Sequence, residues 1–144
     1  MGITVSDCKT VFLDTAPFIY LFEDHPVFAE PVGALLRQCS KKNIIICTSV
    51  ITYIEIITLP AREHNTKLVN QYHHLLTATP GVKLLSIDLA TAQTAVRMRS
   101  EYSLKTADAL QVAAAVCCNA DMILTNDKHW QRIPDLPIVL VDEL

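Results

Sequence analysis

The sequence predicts an α/β protein of three layers, α/β/α, around a mainly parallel central sheet of about five strands. Three observations carry this. Four short runs, Thr10–Asp14, Asn43–Ser49, Met122–Thr125 and Pro137–Asp142, are continuously apolar, as strands covered on both faces must be. The stretches between strand-like runs carry apolar residues at helical spacing, so strands and helices alternate along the chain. Finally, 144 residues, 51% hydrophobic and 19% charged, suit a single packed domain spanning 1–144, one that buries roughly 70% of its unfolded surface.

The elements follow in chain order. "TVFLD" (10–14) is rich in β-formers and gives the first strand. Asp14 then stands at the N-cap of the next helix, with Pro17 in its first turn. "PVFAEPVGALLRQCSKK" (26–42) places Leu35, Leu36 and Cys39 at helical spacing, although Pro31 limits its early turns. "NIIICTS" (43–49) is the second strand, followed by the very apolar helix "SVITYIEIITL". "NTKLVNQYHHLLTA" (65–78) aligns Leu68, Tyr72, Leu75 and Leu76 on one face. "GVKLLSI" (81–87) is the third strand. "DLATAQTAVRMRSEY" (88–102) begins with Asp88 as N-cap and sets Ala92, Ala95 and Met98 or Arg99 along a stripe. "TADALQVAAAVCCNA" is apolar nearly all round, which predicts a deeply buried helix capped by Thr106. "MILT" and "PIVLVD" complete the sheet.

Charge and cysteine content narrow the class. Twelve basic residues against 15 acidic give a net charge of −3, unlike the basic balance of most nucleic-acid binders. If four acids sit in a metal site, however, 15 − 4 leaves 11 acids against 12 basic residues, so a polyanionic substrate stays open. The five cysteines are odd in number and contain no C-x-x-C. They read as free thiols of a reducing cytoplasm, not as a disulfide scaffold or a zinc site. No apolar run reaches about 18 residues, so no membrane span is expected, and no signal-peptide pattern opens the chain.

Most acids fit surface or capping roles, but Asp14, Glu55, Asp108 and Asp127 each sit against an apolar run. Asp14 ends the first strand, where α/β folds bind ligands, and that role is compatible with capping. Glu55 lies among Val50, Ile51, Ile54, Ile56 and Ile57, where fully exposed positions are few and a buried carboxylate needs a partner. Asp108 falls in the first turn of the apolar helix, a position the helix dipole favours. Asp127 follows the fourth strand directly and also suits a cap for a short helix holding Trp130. In a parallel sheet the first and fourth strands can meet at the switch point, so the four acids can converge on one crevice.

Four carboxylates within a few ångströms repel one another unless some protonate or a cation joins them. Oxygen donors without His or Cys favour Mg²⁺ or Mn²⁺. Such a cation lowers the pKa of a bound water, aims it at phosphorus and offsets charge on the leaving oxygen. Thr125 and Asn126 can orient ligands or the attacking water, and Lys105, Lys128, His129, Arg99 and Arg132 can hold a phosphate backbone.

With "VFLDTAPFIY", "TSVITYIEI", "LKTADALQVAAA" and "ADMILTNDKHW" in this order, the sequence resembles a PIN domain, specifically the single-domain ribonucleases of VapC toxin type. The resemblance runs from about Thr10 to Val141. It implies a parallel-sheet α/β/α fold, Mg²⁺- or Mn²⁺-dependent endoribonuclease activity, a homodimer, and a cognate antitoxin whose segment blocks the groove. Asp14, Glu55, Asp108 and Asp127 match the family's acids, and Thr125 and Asn126 the polar residues beside the last one. The chain departs from the pattern at Ala16, where many relatives carry a small polar residue, and at Gln111, often His or a hydrophobe; neither departure removes an acid. A phosphatase of the haloacid dehalogenase type needs an acid where Ala16 stands, and a receiver domain needs an acidic pair at the first strand that is absent. The alternative that remains is a PIN-like module that binds RNA or protein without cutting.

Overall fold

The computed structural model describes residues 2–144; Met1 lies outside the described residues. Five strands, β1 (Thr10–Leu13), β2 (Ile45–Ser49), β3 (Val82–Leu85), β4 (Met122–Thr125) and β5 (Ile138–Leu140), form one sheet in the order β3-β2-β1-β4-β5. Every neighbouring pair is parallel. Six helices connect them: α1 (Thr15–Phe22), α2 (Ala29–Lys41), α3 (Val50–Arg62), α4 (Thr66–Ala78), α5 (Leu89–Tyr102) and α6 (Thr106–Cys117).

Alternation along the strands explains why their sequences are so apolar. Val11 and Leu13 of β1, Ile46 of β2 and Met122 and Leu124 of β4 face one core, filled by Phe18, Val32, Leu35, Cys39, Ile56, Ile57 and Leu76 from α1 to α4. Phe12, Cys47 and Ile123 face the opposite core, filled by Ala95 and Met98 of α5, Ala109, Val112 and Ala113 of α6, and Trp130. Successive residues serve opposite layers, so β2 and β4 are apolar until their carboxyl ends, where Thr48, Ser49 and Thr125 stand. The small residues of α6 let it lie close on the sheet, and they are buried as its composition predicts.

Several boundaries differ from the sequence reading for identifiable reasons. The second helix starts at Ala29, not Pro26, because His25 Nδ1 accepts hydrogen bonds from the Val27 and Phe28 amides and holds a turn there. Gly81 has φ +81°, so it turns the chain before β3, which begins at Val82. Lys105, not Thr106, occupies the N-cap of α6, and Thr106 Oγ1 instead accepts from Arg99. The stripe of α5 is Thr91, Ala95 and Met98, with Ala92 half-buried and Arg99 exposed. Asp88 caps α5 as expected, accepting from the Thr91 amide at 2.8 Å. No helix among the described residues is long and apolar enough to cross a membrane.

Trp130 sits in the short 3-10 turn Lys128–Arg132 after β4, fully buried in the second core. Its indole Nε1 finds no hydrogen-bond partner among the described residues, so packing alone holds the ring. Trp130→Ala is expected to cost about 3–5 kcal/mol, read as a lower urea midpoint with an unchanged slope. A loss under about 1 kcal/mol would show that the turn collapses to fill the void.

Candidate active site at the carboxyl end of the sheet

The crevice is built at the switch in strand order. β1 lies between β2 and β4, the chain adds β2 and β3 on one side of it and β4 and β5 on the other, and the carboxyl ends of β1 and β4 stand side by side. The Asp14 amide extends the ladder by donating to Leu124 O at 2.9 Å. Asp14 occupies the N-cap of α1, but its side chain makes no capping bond. The carboxylate turns inward instead, accepting from Thr125 Oγ1 at 2.8 Å and from Gln111 Nε2 at 3.1 Å. Burial, reinforced by the negative field of Asp108, pushes its pKa up to about 6, although the Thr125 and Gln111 bonds act in the opposite direction.

The other acids arrive from three further elements. Asp108, half-buried in the first turn of α6, has its pKa raised by burial, then by Asp127 and Glu55, with Lys105 and His129 opposing. Asp127 caps the 3-10 turn, its Oδ1 accepting from the His129 amide at 2.9 Å and meeting His129 Nδ1 at 3.0 Å. Thr125 joins Asp127 to Asp14, since its hydroxyl oxygen also accepts from the Asp127 amide at 3.1 Å. Glu55 is exposed on α3, beside exposed Ile54 and Leu59. This corrects the expectation that so apolar a helix leaves few exposed positions; the outer face of α3 is apolar and open. Glu55 Oε1 still finds a partner, accepting from Thr15 Oγ1 at 2.9 Å.

A buried polar layer beneath the acids was not read from the sequence. Gln111 is 1% exposed. Its Oε1 accepts from Ser49 Oγ, while its Nε2 donates to Thr52 Oγ1 at 2.8 Å and to Asp14. Thr52 Oγ1 lies 3.2 Å from Thr15 Oγ1, and Thr48 Oγ1 donates to Leu13 O at 2.8 Å. One amide therefore ties β2, α3, α6 and the end of β1 together. The signals were present: Gln111 is the one amide in an apolar helix and stands three residues after Asp108, and Ser49, Thr52 and Glu55 follow at steps of three, one face of a helix.

Other predicted residues are placed differently. Asn126 Nδ2 donates to Tyr20 OH at 2.8 Å and braces α1 rather than the acids. Arg99 is spent on the α5–α6 junction, donating to Leu104 O and Thr106 Oγ1. Lys105, Lys128, His129 and Arg132 are exposed, and Lys105 and His129 lie near enough to Asp108 for their charges to act on it.

Asp108 lies near enough to Asp14, Asp127 and Glu55 for their charges to act on one another, yet the four acids do not form the close cage expected from the sequence. Among the described residues no group of three or more His, Cys, Asp or Glu side chains is drawn together tightly enough to hold a metal ion. The donor set still fits Mg²⁺ or Mn²⁺, because such ions take one or two carboxylates and keep waters on their remaining positions. Repulsion of Asp108 by Asp14, Asp127 and Glu55 is the field such a cation relieves.

An all-parallel sheet with acids gathered at the carboxyl end of its central strands defines a class, the α/β proteins that work at a topological switch. Within it, the chain belongs to the PIN domain family, whose model matches residues 11–136; PIN domains are generally nucleases that use divalent metal ions. Among solved structures the fold is similar to VapBC2 from Rickettsia felis bound to a DNA fragment from their promoter (TM-score 0.74, 18% identity, 91% of this chain and 98% of that one). It is also similar to VapBC-1 from nontypeable Haemophilus influenzae (0.70, 25%, 92% and 98%) and to a toxin-antitoxin complex from Klebsiella pneumoniae (0.66, 23%, 93% and 99%). No curated protein matches the sequence.

The raised pKa of Asp14 makes a stability prediction for the metal-free chain. The folded carboxyl titrates at about 6 and the free one near 3.8, so the folded state holds the extra proton between those values. Stability from this group is greatest below about pH 3.8 and falls as pH rises through 6. In EDTA, the stability of Asp14→Asn relative to the parent is expected to rise by about 2–3 kcal/mol between about pH 4 and pH 7.5, because the variant lacks the group that titrates. A gap that stays constant across that window would exclude Asp14 as the titrating group.

Proposed function

We propose that the chain is a Mg²⁺- or Mn²⁺-dependent endoribonuclease, the toxin of a toxin–antitoxin pair, that hydrolyses RNA phosphodiester bonds. The observation that carries this reading is the set of carboxylates whose fields overlap in one crevice, where His129 on Asp127 is the only basic partner within ion-pair distance among the described residues. A structural role alone would favour neutralising such a cluster with lysine or arginine.

Asp14, Glu55, Asp108 and Asp127 would hold the cation, singly or in pairs together with waters. Once bound, that ion supplies the acidity that turns a water into a nucleophile near neutral pH and the positive charge that offsets the leaving oxygen. The chain's own residues supply position. Thr125 and Gln111 fix both oxygens of Asp14, so its remaining lone pairs point in a set direction. Thr15 does the same for Glu55. Asn126, through Tyr20, holds the segment between β4 and Asp127, a supporting role. Lys105 and His129, whose charges act on Asp108, and the exposed Lys128 would meet the backbone of a bound strand, whereas Arg99 supports the loop between α5 and α6.

A cognate antitoxin is the implied partner, and the solved structures this fold resembles support it. Its segment would occupy the groove of about 250 Å³ between α1, α3 and α4, where Phe22, Leu59 and Tyr72 lie beside Glu23, Glu55 and Glu63. Those walls suit an apolar segment with basic residues. A homodimer working in the cytoplasm completes the proposal. The open arrangement of the acids favours one rival, a PIN-like module that binds RNA or protein without cleavage.

Cleavage separates the two. Purified protein is expected to cut single-stranded RNA with Mg²⁺ or Mn²⁺ and to stop in EDTA, while Asp14→Asn and Asp108→Asn each lose at least about 100-fold in rate, the order seen when one ligand or its support is removed. Variants that cut as fast as the parent would exclude the assignment. Millimolar metal is also expected to raise the parent's Tm, because it binds only the folded chain, and to raise that of Asp108→Asn by less; equal shifts would place the cation elsewhere.

A further inference from the structure

The crevice has two shoulders of opposite electrostatic character. The groove between α1, α3 and α4 carries Glu23, Glu55 and Glu63, and among the described residues no lysine or arginine lines it. Across the crevice, the α5–α6 junction and the 3-10 turn after β4 present Lys105, Lys128, His129 and Arg132, all exposed. None of the lysines and arginines in that group forms an ion pair with a carboxylate of the described chain. Between these two elements lies a depression of about 280 Å³ lined by Glu101, Tyr102, Ser103, His129 and Arg132.

This depression is built and held in place. Ser103 takes a left-handed conformation, φ 57°, and turns the chain out of α5. Arg99 braces the following loop by donating to Leu104 O at 3.2 Å and Thr106 Oγ1 at 2.8 Å. Tyr102 is half-buried against the second core, which fixes its ring as a wall. The one acid in the lining, Glu101, leans toward Arg97 at 4.0 Å. His129 links the depression to the acids, since its Nδ1 meets Asp127 Oδ1 at 3.0 Å.

Resting on the ribonuclease reading, we propose that this depression is the subsite for the nucleotide next to the cut phosphate, its base packed on Tyr102 and its phosphate against Arg132. The strand then crosses the α5–α6 shoulder and avoids the groove of α1, α3 and α4. A fixed aromatic wall beside free cations is the combination single strands use, since every base has a face to stack and every phosphate a charge to neutralise. A polyanion entering the other groove would meet three carboxylates with no compensating cation lining it.

The test is binding of a fluorescein-labelled single-stranded RNA decamer, followed by anisotropy in EDTA over a range of salt. Arg132→Ala is expected to weaken binding about fivefold or more and to flatten the slope of log affinity against log salt by about 0.7, one phosphate's share. Tyr102→Ala is expected to weaken it about tenfold with the slope unchanged, and Tyr102→Phe to bind as the parent. Glu23→Gln with Glu63→Gln is expected to bind no more weakly than the parent. Arg132 is exposed, so its variant keeps the test valid should Tyr102→Ala fail to fold. Parent-like binding by folded Arg132→Ala, or a loss in the Glu23 and Glu63 variant, overturns the path. A parent that cuts RNA with Mg²⁺ while Arg132→Ala and Tyr102→Ala bind as it does refutes the subsite alone. A parent that shows these binding losses yet never cuts refutes the ribonuclease reading alone.

Discussion

The parallel pairing of β1 with β4 is the constraint on which the molecule depends. That register sets Leu13 opposite Leu124, which brings Asp14 within reach of Thr125 and sends α1 and the Lys128–Arg132 turn off in different directions. Slipping the pair by one residue would turn Thr125 toward the opposite layer and bring Leu124 to face Asp14. The two apolar cores prevent that slip, because each strand residue is already committed to one layer. Packing that looks generic therefore sets which hydroxyl meets Asp14, at 2.8 Å.

The acids of the chain divide by what surrounds them. Asp121 lies at the amino end of the sheet, accepts from the Lys9 and Thr10 amides at 2.7 and 3.0 Å, and has its pKa lowered by them. Asp88 is likewise held down by the Thr91 amide and hydroxyl. These carboxylates stabilise the fold in their charged form. Asp14 and Asp108 behave oppositely: burial and neighbouring acids outweigh the bonds that Thr125 and Gln111 give Asp14, and ionisation works against folding. A chain that keeps acids so placed bears a cost that its architecture does not require, which is the usual mark of a working site.

Much of this was legible in the sequence, and the remainder failed for physical reasons. The sheet, its parallel sense and the buried α6 followed from apolar runs and their spacing; the adjacency of β1 and β4 was only one arrangement that a parallel sheet allows. Helix boundaries did not, because His25 captures two amides and Gly81 takes a left-handed turn, and both depend on local geometry that periodicity does not report. Glu55 was expected to be enclosed, yet composition cannot tell which apolar residues of a helix remain exposed, as Ile54 and Leu59 do. Gln111 was noted only as a departure from a pattern. Its importance arises from partners 59 to 97 positions away in the chain, a separation at which a single sequence carries no pairing signal.

The orphan indole of Trp130 has a practical consequence. The chain has a single tryptophan, sealed from solvent three positions beyond Asp127, and its backbone amide is tied to the Asp127 carbonyl at 3.2 Å. Its fluorescence is thus a native reporter, seated directly behind the crevice and free of interference from any second emitter of its kind. Occupancy of the acids by a cation or a strand can be followed optically in the unlabelled molecule.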